Sequence, residues 1–161
     1  MEYKKSNISN ERAIENVIAQ YTHFLDKGNF KAVAGMFKHG QIVVDGKPVD
    51  SEGIEKMLNF NVQLYPDGTP KTAHVTTNIV LHIDEDEQSG SAKSYLTIFQ
   101  ADSETAFPLQ PVLIGTYDDQ FTKIDGEWFF KERILSLSLI GDLSHHARPE
   151  YSSIANLSGN E

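Results

Sequence analysis

Asp26 and His74, 48 positions apart, are residue types that do acid–base chemistry where a fold brings them together. A carboxylate that accepts one imidazole N–H fixes the tautomer and leaves the other ring nitrogen basic. His74 opens the run Ala73-His74-Val75-Thr76-Thr77-Asn78-Ile79-Val80-Leu81. Strand alternation puts His74, Thr76, Asn78 and Val80 on one face, with Ala73, Val75, Thr77, Ile79 and Leu81 on the other. Such a polar row beside an apolar one fits either a pocket lining or an ordinary solvated sheet face. Asp26 ends Tyr21-Thr22-His23-Phe24-Leu25-Asp26, about 140° round the helix from Tyr21 and off the apolar stripe. Read alone it is a solvated carboxylate at a helix C-terminus, where negative charge is disfavoured unless a partner offsets it.

Arg133 shares an expected strand face with Phe129, Lys131 and Leu135. There it either meets an anionic or carbonyl oxygen in a pocket, or snorkels, or pairs with Glu132 or Asp118. Tyr95, Tyr117 and Phe121 suit a pocket wall or simple core. The other histidines carry less: His23 and His39 fall on or after helices, and His82 lies roughly 26 Å along the strand from His74. His145-His146 sits in the tail without carboxylates at metal-ligand spacing. There is no Gly-rich phosphate loop, nucleophile elbow or HExxH run.

Composition narrows the function classes. A formal charge of −9 with no basic cluster argues against nucleic acid and against an anionic membrane surface. The absence of cysteine excludes disulfides, thiolate nucleophiles and Cys-ligated metals. Residues 1–10 hold no apolar core of signal-peptide length, and no apolar run approaches the roughly 18 residues that span a bilayer. A cytoplasmic location is the expectation.

At 161 residues the chain suits one domain. The expected organisation is a flexible arm over 1–8, a domain over 9–144 and a tail over 145–161, with polar, Ser-rich sequence from Gly141 onward. Ala13, Ile14, Val17, Ile18, Tyr21, Phe24 and Leu25 recur at helical spacing, with Ser9 or Asn10 as cap and Gly28 as stop. A shorter helix is expected over 29–37 and a third over 51–64. Asp45-Gly46 predicts a hairpin between 41–44 and 47–49. Long strands are expected over 72–83, 91–101, 111–124 and 127–139, with a loop over 102–110. Helices first and an antiparallel meander afterwards predict an α+β fold whose curved sheet wraps the helices and leaves a pocket.

Tyr21-x4-Asp26, His74 within Ala-His-Val-Thr-Thr-Asn, and Asp125-Gly126-x-Trp128 leading to Arg133 together resemble the SnoaL-like branch of the NTF2-like superfamily over roughly residues 10–144. Within it, the pattern is similar to scytalone dehydratase, bile acid 7α-dehydratase and hexachlorocyclohexane dehydrochlorinase. The resemblance implies an NTF2-like cone and a cofactor-free dehydratase-like lyase or isomerase acting on a small hydrophobic cyclic molecule. His74 would be its base, Asp26 its orienting carboxylate, and Tyr21 and Arg133 helpers that polarise oxygen or assist a leaving group. Asn78, Tyr95, Thr97, Tyr117 and Phe121 would contact substrate. The chain departs from the pattern at Thr97, where the bile acid enzyme has a carboxylate. It departs again at Gln100, near the second histidine of scytalone dehydratase, and at Tyr117, near that enzyme's pocket asparagine. The resemblance also implies a homo-oligomer, dimer or trimer. A polyketide-type cyclase and a non-catalytic binding or assembly domain are the alternatives on this fold.

Overall fold

The computed structural model describes residues 8–148, so the expected arm, apart from Ile8, lies outside the described residues. Helix α1 runs over Asn10–Asp26, and Ser9 caps it by accepting a hydrogen bond from the Arg12 backbone N–H at 3.3 Å. Ile14, Ile18, Tyr21 and Leu25, at turn spacing, are its buried stripe. At Gly28 φ is +66°, and a Cβ there would lie 2.2 Å from the Gly68 carbonyl oxygen. Glycine therefore both ends α1 and lets the 65–70 loop pack against its terminus.

Helix α2 covers Phe30–Gly35 and α3 covers Ser51–Asn61, both shorter than their apolar pattern suggests. The third helix stops because Val62 turns extended and bridges to Ala147 of the tail. Strands β1 (Gln41–Val44) and β2 (Lys47–Asp50) form the expected hairpin, with Asp45 and Gly46 both at positive φ. Strands β3 (Thr72–Ile83), β4 (Ser89–Asp102), β5 (Phe107–Ile124) and β6 (Glu127–Ile140) are the antiparallel meander. The expected loop over 102–110 shrinks because β5 begins early, pairing Phe107 with Asp102.

All six strands join one open sheet in the order β2-β1-β6-β5-β4-β3, mixed because β1 lies parallel to β6. The α+β architecture expected from the sequence is the one observed, with helices packed on one face of the sheet. The core sits between them. Tyr21 makes edge contacts with Phe37, Tyr117 and Phe130 at ring separations of about 6 Å.

Two bulges change which side chains face that core. Pairing between β3 and β4 slips between Thr77 and Val80, where Asn78 adopts φ +53°. Thr72, His74 and Thr76 face inward before the slip, and Leu81 and Ile83 after it. The strict alternation that put Asn78 and Val80 beside His74 therefore fails, and Val80 is 72% exposed. On β6, Glu132 pairs with Gln120 and Phe130 with Phe121, leaving Lys131 as the extra residue. Arg133 consequently shares the inner face with Phe130 rather than with Phe129 and Lys131.

The tail, expected from its polar sequence to be extended or partly ordered, is packed over 141–148, and 149–161 lie outside the described residues. From Gly141 the chain crosses back over the domain to Arg148. The Gln63 N–H donates to the His146 carbonyl at 2.9 Å, and the Arg148 N–H to the Asn61 carbonyl at 3.0 Å.

Candidate active site

Helix α1 ends with Asp26 against the start of β3. The Asp26 carboxylate accepts a hydrogen bond from Thr72 Oγ1 (2.9 Å) and two from the His74 backbone N–H (2.9 and 3.2 Å). His74 Nδ1 approaches Asp26 Oδ1 at 2.6 Å. These donors answer the unfavourable placement of a carboxylate at a helix C-terminus. Burial alone would push the Asp26 carboxyl up, but the hydrogen bonds and charge of His74, with the bond from Thr72, hold it below the usual carboxylate range. An ionised Asp26 accepts a hydrogen bond from Nδ1–H, which leaves the other ring nitrogen of the imidazole as the basic one. The His74 side chain is only 7% exposed and the Asp26 side chain 25%, so the pair is shielded without being sealed.

His74 borders a cavity of about 180 Å³. Ten of the lining residues are apolar, Leu25, Leu96, Ile98, Leu113 and Leu135 among them; the polar ones are Tyr21, His74, Tyr117 and His146. Burial pushes both phenols up, Tyr117 well above its ordinary value, so each keeps its proton at neutral pH and can donate it.

Behind the tyrosines lies a second pair. Arg133 Nε and Nη2 both donate to the Asp119 carboxylate at 2.7 Å, and neither side chain is exposed. The register sets Asp119 directly opposite Arg133, so the cross-strand partner is Asp119 rather than Asp118 or Glu132. Glu132 instead accepts from Gln41 at 2.7 Å. The guanidinium also stacks 3.7 Å from the Tyr117 ring centroid and 4.3 Å from that of Tyr21.

The structure thus gathers Asp26, His74, Tyr21 and Tyr117 at one site. Arg133 is one layer behind, separated from the cavity by the tyrosine rings. Phe121 is buried core outside the lining. Tyr95 and Thr97 lie on the outer face of β4, because Ser94, Leu96 and Ile98 take the inner one. Asn78 is in the bulge, exposed.

His146 is the residue the sequence reading passed over. It lines the cavity with its ring centroid 6.4 Å from that of His74. The signal that could have found it is Gln100, the polar residue facing Thr72 across the β3–β4 ladder. Gln100 Nε2 donates to the carbonyls of Pro70 (3.0 Å) and His145 (2.9 Å), while the Tyr65 hydroxyl donates to the His145 carbonyl at 2.7 Å. The position that departs from the scytalone dehydratase pattern here anchors a tail that brings its own histidine. Among the described residues no group of three His, Asp or Glu side chains is arranged to hold a metal ion.

The SnoaL-like domain family matches residues 6–134, most of the chain. The chain belongs to that family. Solved structures share its fold. A candidate scytalone dehydratase from Novosphingobium aromaticivorans is 22% identical, with a TM-score of 0.64 over 82% of this chain and 86% of its own. An NTF2-like protein with a cystatin-like fold from the same organism is 15% identical, with a TM-score of 0.66 over 84% and 86%. ActVI-ORFA from Streptomyces coelicolor is 16% identical, with a TM-score of 0.64 over 80% and 96%. At these identities the likeness is one of fold. No curated protein matches the chain. No helix among the described residues is long and apolar enough to cross a membrane.

Proposed function

We propose that this SnoaL-like chain is a cofactor-independent, dehydratase-like lyase that removes a proton next to a carbonyl of a small hydrophobic ring. The observation that carries this reading is the 2.6 Å contact between Asp26 and His74 at the edge of an apolar cavity. In the reaction, neutral His74 takes the α-proton through the ring nitrogen not held by Asp26. The C–H electron pair becomes the double bond of an enolate, and Asp26 stabilises the imidazolium. Collapse of the enolate expels a β-hydroxyl, which leaves as water with the proton returned from His74. Tyr21 and Tyr117 would donate hydrogen bonds to developing oxygen charge, with Arg133 lending its field through their rings. Isomerisation and aldol cyclisation would begin with the same proton transfer and differ only in the fate of the enolate.

Size and polarity narrow the substrate. A cavity of about 150 Å³ holds a benzene molecule, so about 180 Å³ suits one substituted ring. No Lys, Arg, Asp or Glu lines it, which favours a neutral molecule. The test is solvent-deuterium incorporation at the α-carbon of simple cyclic ketones such as 2-cyclohexenone, followed by proton NMR. Exchange catalysed by the wild-type chain should fall about 10²–10⁴-fold in His74→Ala. Equal exchange in the two proteins would remove the dyad from the chemistry.

A further inference from the structure

His146 shares a cavity with the dyad, yet nothing above uses it. Its position is built rather than incidental. Three side-chain and backbone donors, from Gln100, Tyr65 and Gln63, hold the carbonyls of His145 and His146. The Arg148 N–H and the Val62–Ala147 bridge fix the residues beyond. The tail backbone is thus fastened on both sides of the histidine. The imidazole itself is not: its buried Nδ1 has no hydrogen-bond partner among the described residues. A buried polar atom left unpaired costs stability unless something else satisfies it, and here the neighbouring space is the substrate cavity.

We propose that His146 is a second substrate-touching histidine, a neutral imidazole whose N–H hydrogen-bonds the carbonyl oxygen of the ring from which His74 takes a proton. The proposal rests on the dyad reading and adds to its tyrosine donors one that comes from the tail. As the C–H pair moves into the carbon–carbon double bond, the carbonyl π pair moves onto oxygen, and that oxygen is held by the His146 N–H without a full proton transfer. The proton stays on His74 until the leaving hydroxyl takes it, so both imidazoles end as they began. Neutrality suits the role, because an imidazolium beside His74 would oppose formation of the second cation. Burial, and then the proximity of His74, push His146 down to about 4 against the opposing charge of Asp26. The implied substrate is therefore a cyclic ketone or enone with a β-hydroxyl, its carbonyl end toward His146.

The test uses 4-nitrophenol, a single ring whose oxygen stands in for the enolate oxygen, titrated into the full chain by calorimetry. His146→Phe keeps the packing of a flat ring and loses the N–H. His146→Gln loses the ring and keeps a donor. A hydrogen-bonding role predicts affinity at least about tenfold weaker in the Phe variant and within about threefold of wild type in the Gln variant. The ¹⁵N signals of the His146 imidazole should also move on binding. A purely packing role predicts the reverse order, and that order, unmoved signals or no saturable binding by wild type would overturn the proposal. Deuterium exchange in His74→Ala is read separately. Nitrophenol affinity that follows the His146 order, with exchange indifferent to His74, would sink the dyad and spare His146. Exchange lost without His74, with affinity indifferent to residue 146, would do the opposite.

Discussion

Two of the domain's carboxylate pairs, Asp26–His74 at 2.6 Å and Asp119–Arg133 at 2.7 Å, have similar spacing and are built for opposite ends. The first joins a helix terminus to a strand, borders the cavity and keeps a quarter of its carboxylate side chain accessible. One partner is an imidazole, which can pass a proton on. The second joins two neighbouring strands, is wholly buried and closes two parallel hydrogen bonds. Its cation cannot deprotonate: burial works against the charge, but Asp119 outweighs it and raises the guanidinium further. On the proposed reading, burial and partner type, rather than the presence of opposite charges, decide whether a pair moves protons or holds a fixed field.

The widest separation between the pairs should appear in stability. Arg133→Met leaves the Asp119 carboxylate buried without a partner, which typically costs about 3–5 kcal/mol. That should lower Tm by roughly 10 °C in a domain of this size. The double variant Arg133→Met, Asp119→Leu should recover most of the loss in thermal melts, since the charge and its cost leave together. His74→Ala, at the accessible pair, should change Tm far less.

Activity should invert the order. Asp26→Asn keeps the shape but forfeits the charge that fixes the His74 tautomer, so α-proton exchange should fall about a hundredfold or more, equivalent to about 3 kcal/mol. The same variant has a pH signature. Asp26 is held below its ordinary 3.8, so its contribution to stability is full above that value and is lost as pH falls through the lower folded value. Urea melts from pH 3 to 7 should therefore show a shallower acid limb in Asp26→Asn than in wild type. Matching acid limbs would mean that the carboxylate gains nothing from its donors.

How much of this was legible depended on whether local pattern and tertiary position agreed. The α1 stripe, the Asp45-Gly46 hairpin and the limits of β3 follow from periodicity and turn chemistry, and the structure shows them as expected. The Asp26–His74 proximity was visible only as a family spacing, because the helical wheel places Asp26 off the buried stripe and only the β3 docking contact brings it in. Side-chain direction beyond the bulges was not legible. One extra residue at Asn78 or Lys131 reverses the strand alternation, and neither leaves a strong local mark. His146 was hidden for a different reason. Its position depends on long-range bonds from the Gln63 backbone N–H and the Gln100 side chain, and a polar tail has no periodicity from which to read them.

The tail supplies a smaller and reversible contrast. His146 is pushed down from 6.5 to about 4 when docked, with His74 and Asp26 the titratable groups facing it. A depressed histidine binds its proton more readily once released. Docking is therefore fully favoured above about pH 6.5 and progressively weakened as pH falls toward 4. Amide exchange at Gln63 and Arg148, corrected for intrinsic rates, should accelerate across that window by about a hundredfold. His146→Gln should abolish the acceleration, while the amides of β4 and β5 should hold their protection in both proteins.

The smallest expected effect concerns the bulge that reorients β3 beyond the dyad. Asn78 is held at φ +53°, a conformation that asparagine tolerates and β-branched residues resist. Its side chain is exposed, so a substitution there acts through the backbone rather than through lost contacts. Asn78→Gly should change stability by no more than about 0.5 kcal/mol, since relief at φ is offset by greater freedom in the unfolded chain. Asn78→Val should cost about 1–2 kcal/mol, or remove the bulge and slip the outer half of β3 by one residue. A slip would turn Val80 and His82 inward and expel Leu81 and Ile83, while His74, on the near side of the bulge, kept its place against Asp26. Denaturation midpoints together with α-proton exchange separate the two ends of the strand. Unchanged exchange with lowered stability would show that the dyad half of β3 is positioned by α1, and lost exchange would show that it depends on the bulge.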